Sequence, residues 1–143
     1  MIVDANLLLF AVDERSRLHA PAREWLESAV NGPERVGLPW ASLTAFLRIT
    51  THPRALETPL ASSAALSYVE EWLRADNVWV PLPTDRHADI LAGLVAAHDV
   101  RGNLITDADL AALAIEHGVA VFSADTDFAR FSEVRWVNPI AAR

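Results

Sequence analysis

The chain has no cysteine and no lysine. The first absence excludes disulfides, thiolate zinc sites and cysteine nucleophiles, and fits a reducing compartment such as the cytoplasm. The second removes every function that needs an ammonium group, including the Gly-Lys-Ser/Thr loop of nucleotide binders. All twelve basic residues are therefore arginine, and against nineteen acids they leave a net charge of −7. An acidic surface argues against broad phosphate binding. A nucleic-acid role would have to rest on a local basic patch or on a metal ion that reverses the sign of the site. Long apolar runs are missing too: "ANLLLFAV" is too short to span a bilayer, and Asp4 stands where a secretory leader would be basic. No membrane association is expected.

What is present is a 143-residue chain that is 52% hydrophobic, enough for one domain with a real core. No internal repeat or linker interrupts it, so residues 1–143 read as a single domain. "MIVD", "RVGLP", "NVWVP", "VAVFS" and "EVRWVNP" read as short strands, the last at an edge. Between them, helical periodicity runs through "NLLLFAVD", "PAREWLESAVNG", "ASLTAFLRITTH", "LASSAALSYVEEWLRA", "DRHADILAGLVAAHD" and "TDADLAALAIEHG". Pro21 suits the first turn of its helix, and Gly118 the left-handed residue that closes another. Alternating strands and helices predict an α/β domain with a mainly parallel sheet, in which functional groups gather beyond the carboxyl ends of the strands.

Aspartates stand at those ends. Asp4 follows the first strand, Asp125 and Asp127 follow "VAVF", and Asp107 and Asp109 open a helix. Two carboxylates about 4 Å apart repel by roughly 4 kcal/mol at an effective dielectric near 20. A cluster therefore calls for shared protons or a divalent cation. All-oxygen ligands select a hard ion, Mg²⁺ or Mn²⁺, whose chemistry suits a phosphodiester. Each acid also has a structural role open to it. Asp4 suits a helix cap, and Asp107 a first-turn complement to the helix dipole. Asp109 completes a capping box with Thr106, the role favoured for it, while Asp125 and Asp127 suit a turn. Only their conjunction favours chemistry.

These residues carry a resemblance. "MIVDANLLLFAVD", "NLITDADLAALAIEHG" and "VFSADTDFARF" followed by "RWVNP" resemble the PIN-domain ribonucleases and, within them, the VapC toxins of bacterial toxin–antitoxin pairs. The resemblance implies a three-layer fold, a parallel sheet of about five short strands flanked by helices. It makes Asp4, Asp107, Asp125 and Asp127 the catalytic acids, the first three of them metal ligands, with Asn6, Asp109 and Ser123 as accessory residues. It implies Mg²⁺-dependent cleavage of RNA by an activated water, leaving a 5′-phosphate and a 3′-hydroxyl. A VapB-like antitoxin that blocks the acids, often with an arginine, and a homodimer are implied as well. One element departs from the pattern: no glutamate lies between Glu34 and Glu57, and Phe46 holds the place of the family's usual acid. Asp109 is the candidate for a compensating oxygen. Otherwise the fold would serve as a binding module that does not cleave.

Arg48, Arg54, Arg101 and Arg130, with Arg135, are candidate contacts for RNA or a partner, since the guanidinium fork matches phosphate. His52 and His98 are weaker candidates. Five tryptophans offer faces for unpaired bases, although their helical and strand settings favour packing in the core or in a dimer. Haloacid-dehalogenase phosphatases and receiver domains also place Asp at a strand end, but both use a lysine, and a dinucleotide site would need a Gly-x-Gly-x-x-Gly turn.

Overall fold

A computed structural model describes residues 1–142 of the chain. The strands are two residues long: β1 Ile2–Val3, β2 Val36–Gly37, β3 Val78–Trp79, β4 Val121–Phe122 and β5 Trp136–Val137. All pair in parallel, in the order β3-β2-β1-β4-β5. Parallel neighbours need long crossovers, and helices supply them: α1 Ala5–Val12 and α2 His19–Val30 lead to β2, α3 Trp40–Thr50 and α4 Ser62–Arg74 to β3, and α5 His87–His98 and α6 Leu104–Glu116 to β4. A 3₁₀ helix, Thr126–Arg130, precedes β5.

Alternation along each strand separates two cores. Val3 packs with Leu7, Leu8, Leu26, Leu43, Phe46 and Val69 beneath α1–α4, whereas Ile2 packs with Leu94, Ala111, Ala114, Val121 and Phe128 beneath α5 and α6. The result is three layers with the sheet in the middle, the PIN-like arrangement the sequence predicts. Gly37 is required at the β1–β2 contact, because a Cβ there would meet the Met1 carbonyl at 2.8 Å.

Two helix ends follow the expected chemistry and one does not. Gly118, at φ 65°, closes α6: its N–H bonds Ile115 O and the Val119 N–H bonds Ala114 O, the paired bonds of a Schellman closure. Pro21 falls in the first turn of α2. The start of α6 departs from it. The helix begins at Leu104, so Thr106 already lies inside it and its hydroxyl donates to Asn103 O at 2.9 Å. The expected capping box between Thr106 and Asp109 does not form.

Candidate metal centre

β1 and β4 are adjacent, and the sheet order runs outward from them in opposite directions, to β2 on one side and β5 on the other. A cleft opens beyond the carboxyl ends at such a reversal. Asp4 and Asp125 lie there because their strands pair, with Ile2 level with Val121 and the Asp4 N–H bonding Phe122 O at 2.9 Å.

Asp4 is held on both oxygens. Oδ1 accepts the Ala5 N–H at 2.8 Å, capping α1, and Oδ2 accepts the Ser123 hydroxyl at 2.7 Å and the Asn6 amide at 3.2 Å. Ser123 is fully buried, and having donated its proton to Asp4 its oxygen accepts from Asn6 Nδ2 and from the Asp125 N–H, both at 3.0 Å. Asn6 Oδ1 in turn accepts the Ala124 N–H at 3.3 Å. Asp125 folds back through Oδ1 onto the Asp127 N–H at 2.8 Å, an Asx turn that brings both carboxylates to one side.

Asp107 reaches the same place from the first turn of α6. One carboxylate oxygen from each of Asp107, Asp125 and Asp127 lies within 4.8 Å of the other two. Across an ion with bonds of about 2.1 Å, two oxygens stand at most about 4.2 Å apart. Closing the group on a hard ion therefore needs only a small movement. Asp127 belongs to this trio as a ligand candidate, and the Asp-x-Asp spacing was its signal. Asp4 stands beside the trio, joined to it through Ser123.

The electrostatics reflect the crowding of these acids. Burial, then the charges of Asp125, Asp4 and Asp127, push the Asp107 carboxyl from 3.8 up to about 6, against the opposing pull of Arg130. Burial also raises Asp4, with a further push from Asp125, while the Ser123 and Ala5 hydrogen bonds hold it down. Arg130 Nη2 lies 3.8 Å from Asp127 Oδ1. Among the described residues it is the one basic side chain within ion-pair distance of the trio.

Other candidates lie elsewhere. Asp109 follows Asp107 by two residues, about 200° around the helix, so it leaves from the opposite side. It offers the trio no compensating oxygen. His87 Nε2 bonds its Oδ1 at 2.7 Å, and His87 Nδ1 bonds Glu116 Oε1 at 2.9 Å. Glu116, its side chain fully buried, also accepts from the Thr84 N–H and hydroxyl. Phe46 is sealed in the core against Trp72 and Tyr68. Arg101 is paired with Asp99 and His98 with Glu133, while Arg48, Arg54 and Arg135 are exposed. His52 accepts the Arg54 N–H.

Comparison with known proteins points one way. The family model described as "PIN domain" matches residues 1–134. Ribonuclease VapC37 of Mycobacterium tuberculosis is 46% identical over 140 residues, covering 98% of this chain and 97% of that protein. Ribonuclease VapC33 of the same species is 42% identical, covering 98% of both. Among solved structures, VapBC2 from Rickettsia felis bound to a DNA fragment from its promoter aligns with a TM-score of 0.70 at 12% identity, covering 96% of each chain. Mycobacterium tuberculosis VapC20, described as a Sarcin-Ricin loop cleaving toxin, aligns at 0.65 and 20% identity, covering 94% of this chain and 98% of that one. At such identities the structural likeness speaks to fold.

Proposed function

The chain belongs to the PIN-domain family and, within it, to the VapC ribonuclease toxins; from that premise we propose that it hydrolyses RNA phosphodiester bonds with a water activated at a Mg²⁺ or Mn²⁺ centre, and that a VapB-like antitoxin restrains it. The observation that carries this is the trio Asp107, Asp125 and Asp127, three acids from two distant segments with oxygens inside one small sphere.

Asp107, Asp125 and Asp127 would hold a dication, which would offset their mutual repulsion, acidify a bound water and neutralise charge on the phosphate. The chain's own residues set the geometry. A carboxylate has about four acceptor sites, and the contacts of Asp4 use three of them. The remaining site, on Oδ1, is available to orient a water. Ser123 and Asn6 keep that carboxylate from turning, and burial raises its affinity for a proton above that of an ordinary aspartate. Arg130 steadies Asp127 and supplies positive charge at the rim. A cationic side chain from an antitoxin would find the same acids. A second copy of the chain is expected alongside, as in the family's homodimers.

The test is a single-stranded RNA oligomer incubated with the protein in EDTA, in Mg²⁺ and in Mn²⁺, with melting followed in parallel. Cleavage with either metal, lost in Asp107→Asn, is the expected result. A metal-dependent rise in melting temperature without cleavage would select the binding module suggested by Phe46. Absence of both effects would dismiss the metal centre.

A further inference from the structure

Four of the five tryptophans are occupied. Trp25 stacks on Phe122 at 5.9 Å, Trp72 meets Phe46 edge-on at 5.0 Å, Trp79 lies beneath Arg35 at 4.5 Å and against His117 at 5.2 Å, and the Trp136 N–H bonds Ser123 O at 2.9 Å. Trp40 is different. The residue is 48% exposed, and among the described residues no ring or cation stacks on it. Its position is specific. β1 and β2 pair in parallel with Ile2 level with Gly37, and each runs straight into a helix, α1 after Asp4 and α3 after Pro39. An exposed indole thus begins α3 at the carboxyl end of the sheet, the same end at which Asp4 follows the neighbouring strand.

We propose that Trp40 is a stacking platform for an unpaired base next to the scissile phosphate, making single-strandedness at that nucleotide a specificity determinant. The inference rests on the nuclease reading of the metal centre. Charge favours a base over other occupants. A chain with a net charge of −7 gains little from phosphate contacts, which dominate most nucleic-acid binding. Stacking is uncharged and needs no basic patch, so it supplies affinity where electrostatics oppose it. Every base offers a face, so the contact selects unpaired structure more than sequence. A base in a duplex stays stacked on its neighbours and cannot use it.

The experiment measures binding of a fluorescent single-stranded RNA 12-mer and of the same strand in a duplex, with full-length chains carrying Asp107→Asn to block cleavage. Trp40→Ala should weaken single-strand binding about 5- to 150-fold, equivalent to about 1–3 kcal/mol for one stacked base. Trp40→Phe should stay within a few-fold of the parent, and duplex binding should change less than twofold. An abasic site at the stacked nucleotide should erase the difference between Trp40→Ala and the parent. With Asp107 intact, Trp40→Ala should raise KM and leave kcat and the Mg²⁺-dependent rise in melting temperature nearly unchanged. Equal single-strand affinity in parent and Trp40→Ala overturns the proposal, as does an equal loss on duplex. Dissociation of a dimer by Trp40→Ala with affinity retained assigns the indole to an interface between copies instead. If the chain with Asp107 and Trp40 intact cleaves RNA while Trp40→Ala binds normally, only the platform fails. If it neither binds nor cleaves, the nuclease reading fails with it.

Discussion

Replacing Asp107 by Asn should make the metal-free protein more stable. The Asp107 carboxyl titrates near 6 in the folded chain against 3.8 ordinarily. Below pH 3.8 both folded and unfolded chains hold the proton, and nothing is lost. Between 3.8 and 6 the unfolded chain ionises first, so stability falls as pH rises, and above about 6 the loss is complete. A rise of that size corresponds to about 3 kcal/mol as a ceiling, and solvent screening of a partly exposed carboxylate reduces it to about 1–2 kcal/mol. Urea unfolding in EDTA should show Asp107→Asn ahead by that amount at pH 7.5, about 3–6 °C in melting temperature for a chain of this size, with the advantage gone at pH 4. Mg²⁺ should narrow the gap. A tenfold excess over its Kd adds about 1.4 kcal/mol to the parent by mass action and less to the variant, which has lost a ligand. If the two proteins unfold at the same urea concentration at pH 7.5, or if the gap is constant from pH 4 to 8, crowding of charge at this site is not what the geometry implies.

Ser123→Ala removes the hydroxyl that donates to Asp4 and receives Asn6 and the Asp125 N–H. A loss of about 1–2 kcal/mol of stability is expected. The acid limb of the cleavage profile should move to higher pH as Asp4 loses a donor, and an unmoved limb would separate Ser123 from the site's chemistry. His87→Ala strands Glu116, whose side chain is fully buried, and should cost about 3 kcal/mol or more, with cleavage per folded molecule nearly unchanged. The pH window follows from the two partners. Burial opposes the charge on His87, yet its bonds to Asp109 and Glu116 raise it above 6.5, so its contribution is full below 6.5 and is lost as pH climbs through the raised value. Burial likewise opposes the charge on Glu116, but bonds from Thr84 and His87 hold it below 4.5, so its contribution is full above 4.5 and is lost on acidification. The difference between parent and His87→Ala should therefore peak near pH 5–6 in urea titrations, and a flat difference would remove the ion-pair account.

The elements were legible because apolar runs and their punctuation are local signals. "VAVF" between Gly118 and Ser123 reads as a buried strand; a strand forms there, but only Val121 and Phe122 meet the ladder geometry and only Val121 is fully buried. The start of α6 was less legible. Its first turn grows out of the Arg101–Asn103 turn, with the Leu104 N–H bonding Arg101 O, and no side chain caps it, so the cap signature at Thr106 marks a residue already inside the helix. Strand order is not local at all. That β1 lies between β2 and β4 depends on which faces the crossover helices bury, which no local signal carries. Asp109 shows the converse. Helical period alone separates it from Asp107 by about 200°, so one ion could not be shared by both, and its contact with His87 follows from that separation.

Asp4 and Asp125 also show why the structural and chemical roles of an aspartate are not alternatives. By capping α1, Asp4 spends one lone pair on Ala5 and loses its freedom to rotate; by closing the turn onto Asp127, Asp125 commits Oδ1 and turns its neighbour toward Asp107. Each of these bonds fixes a side-chain angle at a strand end, so Asp4 and Asp125 hold their orientation, while the first turn of α6 brings Asp107 to them and Arg130 lies beside Asp127. The capping and turn propensities visible in the sequence are therefore part of the physical reason the acidic centre can exist.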